Sequence, residues 1–304
     1  MTVMIPFAEG ERHLDWLGLT DALAAGHDLP PAEVADVFLY EGDNTLLNRS
    51  AWIPGMGLAV KCATIFPGNR AQNEPAIGGA VNLFSGQNGA LEAIIDFHLV
   101  TKWKTAGDSL LAARRLARPD SRNILIVGAG TVAHSLLDAY QAAFPQAQFT
   151  IWNRSPGGAE AFQTTHPHVA IAADLQKAVS QADIVTCATM STDPLIMGAW
   201  LQPGQHIDLI GAYRPDMRET DDDALRRGRI FVDSRETTIN HIGELKIPIS
   251  AGAIAETDIV ADFYTLDRFA RQSDTEITIF KNGGGAHLDL MTSRYILSHW
   301  QQEG

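Results

Sequence analysis

The rhythm of apolar residues changes near residue 120 and divides the chain in two. Before that point, short apolar runs such as Asp36-Val37-Phe38-Leu39-Tyr40 and residues 58–66 are broken by Gly, Pro and Asn, the spacing of strands joined by tight turns. Pro67-Gly68-Asn69 closes the second run, and residues 78–84 with 90–98 read as a further hairpin. This is the pattern of an α+β region with an antiparallel or mixed sheet. Residues 101–118 follow with helical patterning that places Leu110, Leu111, Ala113 and Leu116 on a buried side, and Pro119-Asp120 stops the helix.

From Asn123 onward strands and helices alternate: strand 124–127, helix 132–143, strand 148–152, helix 158–164, strand 169–172, helix 174–181, then strands 183–188, 206–210 and 229–233. Near-continuous apolar strands separated by helices predict an α/β fold with a doubly wound parallel sheet of the Rossmann kind. Asp221-Asp222-Asp223 lies where a helix begins, and complementing the helix dipole accounts for it. A strand at 275–280 leads into Lys281-Asn282-Gly283-Gly284-Gly285-Ala286-His287, then an amphipathic helix to Trp300. The three glycines admit two readings, a hinge or a loop laid against a ligand.

Composition narrows the class. With 304 residues, 45% of them hydrophobic and 19% charged, the chain suits a globular protein of two domains. A formal net charge of −13 without a basic patch argues against nucleic acid and anionic membranes as partners. No apolar run approaches the roughly 20 residues of a membrane span and the first residues do not read as a signal peptide, so a cytoplasmic location is expected. Cys62 and Cys187 lie in apolar runs and read as buried structural thiols, and no metal-ligand spacing is evident.

The strand 124–127 ends in Gly128-Ala129-Gly130-Thr131-Val132-Ala133, a G-x-G-x-x-A pattern. After a strand and before a helix, the first Gly permits the turn, the second lets backbone approach a pyrophosphate, and the small third residue packs helix on strand. Helix N–H groups and dipole then face the phosphates. The second strand ends in Asn153-Arg154, with no carboxylate for a ribose 2′-hydroxyl and a guanidinium suited to a 2′-phosphate, which favours NADPH while leaving NADH admissible. Ala188, Thr189 and Met190 follow a later strand and are expected along the cofactor.

Three cations stand out upstream. Lys61 interrupts an apolar strand, where a charge needs a partner, a ligand or an edge from which to snorkel. Lys104 opens the connecting helix, and Arg49 precedes Ala51-Trp52-Ile53-Pro54. Read singly, Lys104 is solvated surface and Arg49 a salt-bridged structural arginine; together they suit a small carboxylate.

Val60-Lys61 with Phe66-Pro67-Gly68-Asn69, Thr101-Lys102-Trp103-Lys104-Thr105-Ala106, the glycine turn, Gly211-Ala212-Tyr213-Arg214-Pro215-Asp216-Met217-Arg218-Glu219 and residues 280–290 together resemble the ornithine cyclodeaminase/mu-crystallin family. The second and last segments are most similar to bacterial Δ1-pyrroline-2-carboxylate and Δ1-piperideine-2-carboxylate reductases. The resemblance implies a substrate-binding and dimerisation domain, 1–118 with 288–304, and a Rossmann domain, 119–287. It implies NAD(P)H-dependent reduction of a cyclic imino acid to L-proline or L-pipecolate by a homodimer. Lys61 would polarise the substrate or deliver the proton, Lys104 and Arg49 would bind the carboxylate, and His287 is an alternative proton source. Ornithine cyclodeaminases carry an acidic residue after a Gly-Gly pair where this chain has Gly211-Ala212-Tyr213-Arg214. Its absence weighs against the alternative of ornithine cyclodeaminase activity, alanine dehydrogenase-type activity stands as the other alternative within the family, and retained Lys61 and Lys104 weigh against a non-catalytic, mu-crystallin-like NADP-dependent binder.

Overall fold

Asp96 marks a place where the chain departs from its sequence pattern. In the computed structural model, which describes residues 2–72 and 74–302, the Asp96 carboxylate accepts hydrogen bonds from the N–H groups of His98 and Leu99. That cap ends a strand and starts a helix at Phe97, where the sequence suggests strand to 98 and helix from 101. In chain order the elements are β1 (Val3–Ile5), α1 (Phe7–Glu11), α2 (Trp16–His27), β2 (Glu33–Glu41), β3 (Asn44–Ile53), β4 (Gly57–Ile65), β5 (Ile77–Phe84), β6 (Leu91–Asp96) and α3 (Phe97–Leu116). There follow β7 (Asn123–Val127), α4 (Thr131–Ala143), β8 (Gln148–Trp152), α5 (Pro156–Thr165), β9 (Ala170–Ile171), α6 (Leu175–Gln181), β10 (Ile184–Cys187) and β11 (His206–Leu209). The chain continues through α7 (Asp222–Arg227), β12 (Arg229–Val232), α8 (Arg235–Thr238), α9 (Gly243–Ser250), β13 (Ile259–Ala261), β14 (Thr278–Lys281) and α10 (Ala286–Gln302).

Two compact units emerge: the chain up to Lys104 with Gly285 onward, and Thr105–Gly284. These divisions fall inside α3 and just before α10, whereas the sequence expectation set them at 118/119 and 287/288.

The first unit is a six-stranded mixed sheet in the order β1-β6-β5-β4-β3-β2, antiparallel except where β1 pairs with β6. Strand alternation puts Ala51, Ile53, Ala59, Lys61, Ala63, Val81, Leu83, Ala93 and Ile95 on a buried face. Helix α10 packs across β3 and β4 on that side and against α2. Each fully buried Ile, Val or Leu contributes about 1.5–3 kcal/mol. Cys62 alternates to the other face and is only half-buried, so the expectation of a buried thiol holds for Cys187 alone. From Ala35 to Glu41 every residue of β2 is exposed, Val37, Phe38, Leu39 and Tyr40 among them.

The second unit is an eight-stranded, wholly parallel sheet in the order β13-β12-β14-β11-β10-β7-β8-β9. The chain runs outward from β7 through β8 and β9, then returns to lay β10 on the other side of β7. The carboxyl ends of β7 and β10 therefore form a topological switch point, the place where doubly wound sheets bind ligands. Lys281, placed in a loop by its sequence, is the last residue of β14 and fully buried, donating to the carbonyls of Leu209 and Asn282 at 2.8 and 2.7 Å. The Asp221 carboxylate caps α7 by accepting from Ala224 N–H at 2.8 Å, in keeping with the acidic helix start.

Candidate active site

At the switch point of the second unit the glycine turn, the end of β8 and the loop after β10 enclose a cleft of ≈ 390 Å³. Gly128 makes the turn at φ 100, and a Cβ there would lie 2.7 Å from the Ala188 carbonyl. At Gly130 a Cβ would meet nothing within 4 Å, so its backbone faces open space. Gly130 is also the N-cap of α4, and no side chain caps this helix, leaving its first N–H groups to an anion. Glycine backbone bared beside an uncapped helix start fits a dinucleotide pyrophosphate.

Of the residues expected to bind cofactor, Gly128, Ala129, Gly130, Asn153, Arg154, Ala188, Thr189 and Met190 line this cleft. Thr131 and Val132 follow in the first turn of α4, and Ala133 is fully buried, packing helix on sheet. Asn153 works within the protein: its Oδ1 accepts from Ala129 N–H at 3.1 Å and its Nδ2 donates to Ser155, which sets the glycine turn against β8. Arg154 is exposed and donates to Ser191 Oγ at 3.2 Å.

In the first unit, sheet register builds a row of charge. Asp36 on β2 pairs with Arg49 on β3, which pairs with Lys61 on β4. Like charges directly opposite one another are destabilising, so carboxylates must intervene. Arg49 donates from Nε and lies 2.9 and 2.8 Å, through Nε and Nη2, from Asp36 Oδ2. Lys61, 6% exposed, donates to Asp289 Oδ1 of α10 at 2.9 Å and to Thr101 Oγ1 of α3 at 2.8 Å, with its ammonium 4.6 Å from the centre of the Phe97 ring. Lys104, also buried, has no hydrogen-bond or ion-pair partner among the described residues. Burial drives the Lys61 pKa below its ordinary value, with Lys104 and Arg49 adding to the effect and Asp289 opposing it. Burial raises the Asp289 carboxyl, but Lys61, Lys104 and Arg49 more than offset this and hold it below the usual carboxylate range.

His287 is buried two residues before Asp289 on α10, its ring edge-on to His27 at 5.6 Å. Burial, aided by His27 and Lys104, depresses its pKa well below the ordinary value, so it is neutral at pH 7. The structure thus gathers Arg49, Lys61, Lys104 and His287 within one unit and adds Asp289, Thr101 and Phe97, which sequence reasoning missed. The glycine run before α10 has a local cause. Asp233 Oδ2 accepts from the N–H groups of Gly283 at 3.0 Å and Gly284 at 2.6 Å, and Gly284 adopts φ 67. Among the described residues no group of three or more His, Cys, Asp or Glu is arranged to hold a metal, and no helix is long and apolar enough to cross a membrane.

A glycine turn at the switch point of a parallel sheet, beside an uncapped helix, marks this fold as a dinucleotide-binding one of the Rossmann kind. The chain belongs to the ornithine cyclodeaminase/mu-crystallin family, whose profile matches residues 54–304. It is 49% identical over 300 residues to the Δ1-pyrroline-2-carboxylate reductase of Paracoccus denitrificans, covering 96% of this chain and 95% of that one. Against the ketimine reductase mu-crystallin of Mus musculus the identity is 34%, over 80% and 76% of the two chains. Among solved structures, an archaeal alanine dehydrogenase dimer with bound NAD superposes with TM-score 0.89 at 25% identity, covering 99% and 97%. The Δ1-pyrroline-2-carboxylate reductase of Thermococcus litoralis, in complex with NADH and L-proline, shares the fold at TM-score 0.89 and 24% identity, covering 99% and 98%.

Proposed function

We infer that this chain is an imine reductase that uses a nicotinamide dinucleotide to convert a cyclic α-imino acid, Δ1-pyrroline-2-carboxylate or its six-membered homologue, to L-proline or L-pipecolate. The observation that carries the reading is the buried Lys61–Asp289 pair beside the unpartnered Lys104. It is supported by the reductase from Paracoccus denitrificans at 49% identity.

The chemistry requires a held carboxylate, a proton on the imine nitrogen and a dry site. When bound, the dinucleotide supplies hydride to the imine carbon. Lys104 has no competing partner and takes the substrate carboxylate, while Arg49, engaged with Asp36, adds charge to the same end. Lys61 gives its proton more readily than a solvated lysine because burial weakens its hold on it, and Asp289 and Thr101 fix the ammonium. His287, neutral and buried, is the weaker proton source. Where a cyclodeaminase would carry its acidic residue, this chain places an exposed Tyr213 and an Arg214 bound to Asp216 through two hydrogen bonds of 2.9 Å. Imine reduction has no need of that carboxylate.

Arg154 at the end of β8 favours NADPH over NADH. The exposed apolar strand β2 supports a homodimer. Both cysteines are free, in keeping with a reducing cytoplasm. Rates with both nicotinamides against both imines test the reading. Oxidation of NADPH by Δ1-pyrroline-2-carboxylate is expected; ammonia release from ornithine with no such oxidation would overturn it.

A further inference from the structure

Glu219 lies in the loop between β11 and α7 and is wholly buried. Its Oε1 accepts from the N–H and the hydroxyl of Thr189, both at 2.8 Å. Its Oε2 accepts from the N–H groups of Gly211 at 2.8 Å and Ala212 at 3.3 Å. Thr189 follows β10 and Gly211 follows β11, so one carboxylate ties the loops leaving two neighbouring strands at their carboxyl ends. The approach is close enough that a Cβ on Gly211 would sit 2.6 Å from Glu219 Oε1. A second buried carboxylate holds the first: Glu244 accepts from Glu219 N–H at 2.6 Å, and from Thr220 N–H and hydroxyl at 3.0 and 2.5 Å. Thr189 is a wall of the dinucleotide cleft, and Glu219 stands behind it.

An ionised carboxylate in such a place is costly unless donors converge on it, and four do. We propose that Glu219 is a positioning residue of the cofactor cleft, clamping Thr189 to Gly211 and Ala212 so that the wall beside the dinucleotide keeps one conformation. The assignment rests on the dinucleotide reading of the cleft. Burial pushes the Glu219 carboxyl up to about 7; Glu244 from α9 adds to this, while Lys281 from β14 opposes it, as do the Thr189 N–H and the Cys187 thiol from β10 and its loop. Protonation takes one acceptor site from the four donors, so the clamp loosens as the pH falls through about 7.

NADH is the probe, because it lacks the 2′-phosphate that itself titrates near pH ~6. Its affinity for the full chain, read by nicotinamide fluorescence, falls about tenfold in Glu219→Gln, whose amide sets N–H groups against a backbone donor. An affinity within about twofold of wild type, in a variant with unchanged circular dichroism, overturns the assignment. Should that variant not fold, Thr189→Val removes one donor and weakens NADH about threefold; no change overturns the assignment. The wild-type affinity weakens as pH falls through about 7, and Glu219→Gln lacks this limb; a limb that persists unaltered in the variant also overturns it. A wild-type chain that binds neither NADH nor NADPH refutes the cleft itself and the clamp with it, a failure distinct from unchanged affinity in a variant.

Discussion

Lys61 and Asp289 stand 228 positions apart in sequence and 2.9 Å apart in the fold. Removing one partner leaves the other charge buried, so Lys61→Met is expected to cost about 3–5 kcal/mol in urea unfolding. Lys61→Met with Asp289→Asn recovers most of that stability but not turnover, which stays about 10²–10⁴-fold below wild type. Recovery of both would reduce Lys61 to a structural role. Lys104→Ala is expected to raise KM for the imine by about tenfold or more with a smaller change in kcat, as loss of a carboxylate contact does. Lys61 was legible because a charge within an apolar strand is conspicuous. Asp289 was not, since His287-Leu288-Asp289-Leu290 reads like any amphipathic helix whose acid faces water.

The turn between β7 and α4 separates two roles that its sequence pattern merges. Gly128→Ala forces a Cβ at φ 100 against the Ala188 carbonyl, and a loss of about 2 kcal/mol or more is expected on thermal unfolding. Gly130→Ala has room for its Cβ; stability stays within about 0.5 kcal/mol while dinucleotide affinity falls about tenfold. The second half of that expectation fails if titration with NADPH gives the wild-type constant. Strand β11 adds a pH term. Burial, reinforced by Arg271, depresses the His206 pKa to about 3. The unfolded chain binds a proton there from about pH 6.5 downward and the folded chain does not, so acidification favours unfolding. At about pH 5 the cost is about 2 kcal/mol, and His206→Asn should show a shallower acid limb between pH ~7 and ~5. Glycine turns and apolar strands read well because they depend on local chemistry. The start of α3 did not, because one aspartate ends β6 and caps the helix together.

For the whole molecule, strand β2 presents Val37, Phe38, Leu39 and Tyr40 at 46–71% exposure along an unpaired edge. Light scattering is expected to give twice the chain mass, and Leu39→Asp with Tyr40→Asp to shift the protein toward monomer; a wild-type monomer would remove the homodimer. The two fold classes were legible because apolar periodicity differs so plainly on either side of residue 120. That the last helix joins the first unit was not, since no local pattern in α10 names its partner strands; the family likeness alone suggested it. Its docking also orders events during synthesis. Arg49 and Lys61 face each other across β3 and β4, and the carboxylate that answers Lys61 arrives on α10. A nascent chain lacking residues 285–304 must hold this sheet open or hydrated, so the first unit matures last although its strands leave the ribosome first.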